Sequence, residues 1–130
     1  MLLLNIDVPD IAAAERFYTA AFGLRVRRRL GEDILELSGW PVAVFLLQKP
    51  PGSIGGGQDV RRYGRHWTPL HTDVVVEDLD LAVDRAVQAG AELETPACDQ
   101  AFGRIAMLAD PFGNGFCLLE FNAQGYEALA

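Results

Sequence analysis

His71 and Asp73 stand two residues apart in the run Leu70-His71-Thr72-Asp73-Val74-Val75-Val76. In an extended strand that spacing puts both side chains on one face. An imidazole next to a carboxylate can take a proton from a substrate, and the carboxylate steadies the imidazolium that forms. His71 is therefore a candidate base and Asp73 its partner. Cys117 offers a thiol, but the run Phe116-Cys117-Leu118-Leu119 favours a structural cysteine over a nucleophile. Asn5 and Asp7 alternate with Leu4, Ile6 and Val8, so they leave the apolar face and become candidate ligand contacts. Trp67 has a flat indole with one donor, which suits stacking on a planar or amphipathic ligand, or packing in a core or dimer interface. Arg104 is one of two basic residues after position 65. It can orient a substrate carboxylate or phosphate, or pair with Asp99, Glu94 or another acid.

These residues need elements to position them. Leu2 to Val8 alternates and reads as a strand. Asp10 caps a helix over Ile11–Phe22, in which Ile11, Ala14, Phe17, Tyr18 and Ala21 recur at helical spacing, and Gly23 stops it. Three strand-like runs follow: Leu24–Arg29, Asp33–Ser38 and Pro41–Gln48. The basic run Arg25, Arg27, Arg28 and Arg29 reads as a charged edge, with alternation dividing it between both faces. Residues 50–66, rich in Gly and Pro, read as a linker or mobile loop. The pattern then restarts. A strand over Leu70–Val76 leads to cap Asp78, a helix over Leu79–Ala89 and stop Gly90. Strand-like runs Ala91–Thr95, Arg104–Ala109 and Gly115–Phe121 complete it. Asp10 and Asp78 lie 68 residues apart, and Gly23 and Gly90 lie 67 apart. A repeat of that size indicates a duplicated βαβββ unit. The predicted layout is module one at 1–49, linker at 50–66, module two at 67–122 and a C-terminal tail at 123–130.

Composition narrows the function. The chain has 130 residues and a formal charge of −7. That length suits one α+β domain. The charge argues against nucleic acid, which would need a basic face. Residues 1–65 carry nine basic and seven acidic side chains, whereas residues 66–130 carry two and eleven. Two cysteines 19 apart make no disulfide framework and fit a reduced, cytoplasmic protein. No run approaches a signal peptide or a membrane span. Nucleotide-binding glycine loops and a GxSxG nucleophile elbow are absent.

The order of motifs resembles the vicinal oxygen chelate superfamily, which includes glyoxalase I, extradiol dioxygenases, fosfomycin-resistance enzymes and bleomycin-binding proteins. The resemblance is carried by Asn5-Ile6-Asp7-Val8-Pro9-Asp10, Arg16-Phe17-Tyr18 and Phe22-Gly23-Leu24. In the second half it is carried by His71 to Asp78, Ala89-Gly90-Ala91 and Asp110 to Glu120. It implies two βαβββ modules forming a curved mixed sheet around a cleft, and a homodimer. It also implies four positions for a divalent metal. Counted from the caps and from Asp110, these fall at Leu3, Phe45, His71 and Cys117. Leu3 and Phe45 have no donor atoms, so the metal site reads as degenerate and no cofactor is expected, although a divalent metal is possible. Of the possible substitutes, Glu120 points to the opposite face from Cys117, and Glu36 stays open. His71 is then either a base or the hydrogen-bonded remnant of a lost site. Two functions follow: a protein that binds a small amphipathic or aromatic molecule, or a lyase or isomerase resembling glyoxalase I (or a dioxygenase-type enzyme) acting on a carbonyl substrate through His71.

Overall fold

Helix α1 (Ile11–Phe22) begins where Asp10 accepts a hydrogen bond from the Ala13 amide at 3.0 Å, and ends at Gly23, which takes φ 66°. Helix α2 (Leu79–Ala89) repeats this with Asp78, the Leu81 amide at 3.0 Å and Gly90 at φ 118°. Both helices thus have the predicted bounds. A side-chain oxygen at an N-cap satisfies one of the amides a helix leaves unpaired. The computed structural model describes residues 1–130. The chain divides into two units, Met1–Gly64 and Arg65–Ala130.

In the first unit, β1 (Leu3–Val8), β2 (Arg25–Leu30), β3 (Ile34–Ser38) and β4 (Ala43–Gln48) form an open sheet in the order β1-β4-β3-β2. The β1–β4 pair is parallel and the other pairs are antiparallel. Val8, Leu35, Leu37, Val44 and Leu46 are fully buried, as are Ala14 and nearly all of Phe17 on α1. Alternation along each strand sends these apolar side chains one way and Asn5, Asp7, Glu36 and Phe45 the other. A bulge between Val26 and Arg28 breaks the alternation in β2. Arg27 and Arg28 therefore both reach the buried Glu36, and the predicted split of the basic run fails at this point.

Residues 50–66 are not structureless. They hold a small hairpin, β5 (Ile54–Gly56) and β6 (Asp59–Val60). Arg61 staples it. Its backbone exchanges hydrogen bonds with Ser53 and Gly52 at 2.8 Å each, and its guanidinium donates to Asp7 at 2.6 Å and to the Ile54 carbonyl. Glycine composition alone did not reveal this, because the stabilising partner Asp7 lies 54 residues away.

The second unit repeats the topology. Strands β7 (Thr72–Val75), β8 (Glu92–Gln100), β9 (Gly103–Ala109) and β10 (Gly115–Phe121) take the order β7-β10-β9-β8, again with the first and last strands parallel. Strand β8 runs five residues past its predicted end at Thr95, through Pro96. It can do so because it is the edge strand and two irregularities interrupt its register. A short 3₁₀ turn, Gly125–Leu129, closes the chain. No helix is long and apolar enough to cross a membrane.

The same device locks each unit. The Gln48 side chain at the end of β4 accepts from the Ile11 amide at 2.8 Å, and Glu120 near the end of β10 accepts from the Leu79 amide at 2.7 Å. Each ties a helix start to the last strand. Gly103, at φ 142°, sits so close to β10 that a Cβ there would overlap the Glu120 carbonyl. Gly103→Ala should therefore lower unfolding free energy by about 2–4 kcal/mol in urea titration. Gly56→Ala, which meets open space, should change it by less than about 0.5 kcal/mol. Equal effects would contradict the packing at β9–β10.

Candidate functional site

The second unit brings three sequence-predicted residues together. Asp73 and Cys117 are direct partners in the parallel β7–β10 ladder, so their side chains share a face. His71, two residues before Asp73, places Nε2 at 3.3 Å from Asp73 Oδ1. One donor atom each from His71, Asp73 and Cys117 lie within 4.8 Å of one another. Cys117 is buried, whereas the side chains of His71 and Asp73 are about a third exposed. Trp67 stands against this group with its ring centroid 5.4 Å from that of His71, tilted by 44°. It is 60% exposed, so it is no core aromatic.

Burial pushes the Cys117 thiol up to about 11, and the neighbouring Asp73 carboxylate adds to the shift by repelling a thiolate and accepting its hydrogen bond. A thiol held neutral is a poor nucleophile near neutral pH. As it stands, Cys117 is therefore not set up for nucleophilic catalysis.

Arg65 and Glu94, which were not predicted as a site pair, frame this face. Arg65 grips Glu94 with two hydrogen bonds, at 2.7 and 2.9 Å. This contact holds the Glu94 carboxyl below the usual carboxylate range. The guanidinium lies over Gly115, where a Cβ would come within 3.0 Å of three of its atoms. Gly115 shares a strand face with Cys117. The sequence signal was a glycine two residues from the thiol, which is legible only once the arginine above it is known.

The other candidates lie apart from this group. Arg104 is cross-strand partner to Glu120, so it takes the helix-facing side, opposite Cys117. There it donates to Asp80 at 2.9 and 3.1 Å, with Asp99 3.8 Å away. Asp7 is engaged by Arg61. Asn5 lies beside Phe45 in the β1–β4 ladder. Cys98 is exposed and Cys117 buried, and both are free thiols.

Internal symmetry tests the metal question. Gln48 and Glu120 play one role in the two units, so Phe45 and Cys117, each three residues earlier, are equivalent. The ladders pair Phe45 with Asn5 and Cys117 with Asp73. Leu3, Asn5 and Phe45 are thus the counterparts of His71, Asp73 and Cys117. The two apolar counterparts cannot ligate. Glu120 and Glu36 do not replace them, since Glu120 holds the start of α2 and Glu36 is held by Arg27 and Arg28. These residues do not supply the four-position metal set that the family resemblance implies.

The chain belongs to the glyoxalase-like domain family, whose sequence profile matches residues 4–119. The anthracycline biosynthesis protein DnrV of Streptomyces peucetius is 32% identical over 130 residues, which cover 98% of this chain and 43% of that protein. The chain therefore spans less than half that relative's length. Among solved structures, a mutant of the fosfomycin resistance protein FosX from Listeria monocytogenes, complexed with Mn(II) and a dihydroxypropylphosphonic acid, matches with TM-score 0.72. It is 15% identical over 95% of this chain and 91% of that one. The lactoylglutathione lyase of Agrobacterium tumefaciens matches with TM-score 0.64 at 18% identity, over 92% of each chain. At these identities the structural likeness establishes the fold.

The two thiols should differ in alkylation. At about pH 8, iodoacetamide should label exposed Cys98 and spare Cys117, and raising the pH toward 11 should increase labelling of folded Cys117 as its thiolate forms. Peptide mass spectrometry reads this, and equal labelling at about pH 8 would contradict the environment described.

Proposed function

We propose that the chain binds a small amphipathic, aromatic molecule on a glyoxalase-like scaffold whose family metal site is degenerate. The observation that carries this reading is Trp67, a large indole 60% exposed to solvent beside His71 and Asp73. A flat aromatic ring beside a few polar groups offers a planar ligand a stacking face and orienting hydrogen bonds. The name of DnrV, an anthracycline biosynthesis protein, adds support for a planar polycyclic ligand. The absence of donor atoms at Leu3 and Phe45 favours binding that does not use a four-ligand metal centre.

An anthraquinone sulfonate tests this. In a Trp40→Phe background, it should quench Trp67 fluorescence saturably, and added Mn(II) should leave the affinity unchanged. Calorimetry with Trp67→Ala should show about 10- to 100-fold weaker binding, the equivalent of roughly 1.4–2.8 kcal/mol. Undiminished affinity in that variant would refute the reading.

One observation favours a second reading. The His71–Asp73 pair, at 3.3 Å, has the arrangement of a general base and its orienting carboxylate. On that reading the chain is a lyase or isomerase acting on a carbonyl substrate. His71→Asn should then abolish turnover by at least about 100-fold while leaving substrate binding in place. Turnover that survives in this variant would exclude His71 as base.

A further inference from the structure

We propose that the aromatic molecule bound beside Trp67 carries a positively charged amine, and that Asp73 is its counter-ion. This inference rests on the aromatic-ligand reading and deepens it by fixing the sign of the ligand's charge. Trp67 is 60% exposed, and its ring centroid lies 5.4 Å from that of His71, whose Nε2 is 3.3 Å from Asp73 Oδ1. One imidazole thus joins an open aromatic face to a carboxylate, within the span of a small ligand. Both ends attract a cation: the indole face through its quadrupole, the carboxylate through its charge. The Asp73 side chain is 38% exposed, so an ammonium group can reach it.

The arrangement of arginines around Asp73 decides that sign. The second unit contains three arginines, Arg65, Arg85 and Arg104, and no lysine. Arg65 is taken by Glu94 through two hydrogen bonds. Arg104 pairs with Asp80 on the opposite face of the sheet. Arg85 belongs to α2, on the helix side. The partners of Asp73 are instead the His71 imidazole and the Cys117 thiol. They orient the carboxylate without setting a guanidinium against it. Asp7 and Glu36 of the first unit differ, since each is held by an arginine. The surroundings act in the same direction: residues 66–130 carry two basic and eleven acidic side chains, which favours approach of a cation. A carboxylate or phosphate on the ligand would be repelled by Asp73 and would find the guanidinium of Arg65 already matched by Glu94.

Calorimetry on the full chain tests this with probes that share one ring system: anthraquinone bearing an aminomethyl, a hydroxymethyl or a sulfonate group. The aminomethyl probe should bind about 10- to 100-fold more tightly than its neutral hydroxymethyl isostere, as a charge-assisted contact requires. The sulfonate should bind most weakly. Asp73→Asn should cut the preference for the amine to less than about 3-fold and leave the affinity for the hydroxymethyl probe within about 2-fold. Glu127→Gln, which removes an exposed carboxylate from the C-terminal turn, should leave the preference intact and so separate a local contact from net charge. Raising salt from about 0.05 to 0.5 M should erode the advantage of the amine. Equal affinity for the amine and its neutral isostere, or a preference that persists in Asp73→Asn, would overturn the proposal while leaving stacking on Trp67 in place. Failure of every probe to bind, or undiminished binding of all of them to Trp67→Ala, would overturn the aromatic-ligand reading as well. The preference of the wild-type chain carries the test even if Asp73→Asn does not fold.

Discussion

The parallel pairing of first and last strands, with each helix start tied to the last strand, is the constraint on which the site depends. Gln48 holds the Ile11 amide and Glu120 holds the Leu79 amide. A helix N-terminus has amides with no partner inside the helix, so a part-buried side-chain acceptor there helps fix where the helix begins. It also fixes which residues of the last strand face the helix. With Glu120 turned to α2, Cys117 must point the other way and meet Asp73 across the ladder. A register slip of one residue would remove both contacts together.

The duplication also gives an internal comparison. Equivalent backbone positions carry Leu3, Asn5 and Phe45 in one unit and His71, Asp73 and Cys117 in the other. The scaffold is the same and the chemistry has segregated. In the first unit, both carboxylates on this face are held by arginines: Asp7 by Arg61, and Glu36 by Arg27 and Arg28. In the second, a nitrogen, an oxygen and a sulfur converge beside an exposed indole. Family membership sets the fold, but these side chains decide what the site can hold.

Much of this architecture was legible in sequence because it rests on local signals. Asp10 with Gly23 and Asp78 with Gly90 bounded the helices, and period-two alternation placed His71 and Asp73 on one face and Glu120 away from Cys117. What escaped rests on long-range contacts between flexible side chains. Arg61 organises a glycine-rich hairpin only through distant Asp7. The Arg65–Glu94 clamp spans 29 residues and needs Gly115 beneath it. Arg104 read as either a substrate anchor or half of an ion pair; the structure shows the ion pair, and its partner Asp80 could not be named because spacing alone does not orient its helix against β9. The bulge that turns Arg27 and Arg28 onto one carboxylate leaves no mark on strand periodicity.

If the chain binds its ligand beside β7 and β10 of the second unit, amide chemical shifts of the labelled protein should respond there when an anthraquinone sulfonate is added. The largest changes should centre on Trp67, His71 and Asp73, with Leu3, Asn5 and Phe45 unmoved. Changes centred on the first unit, or scattered over the surface, would rule that placement out.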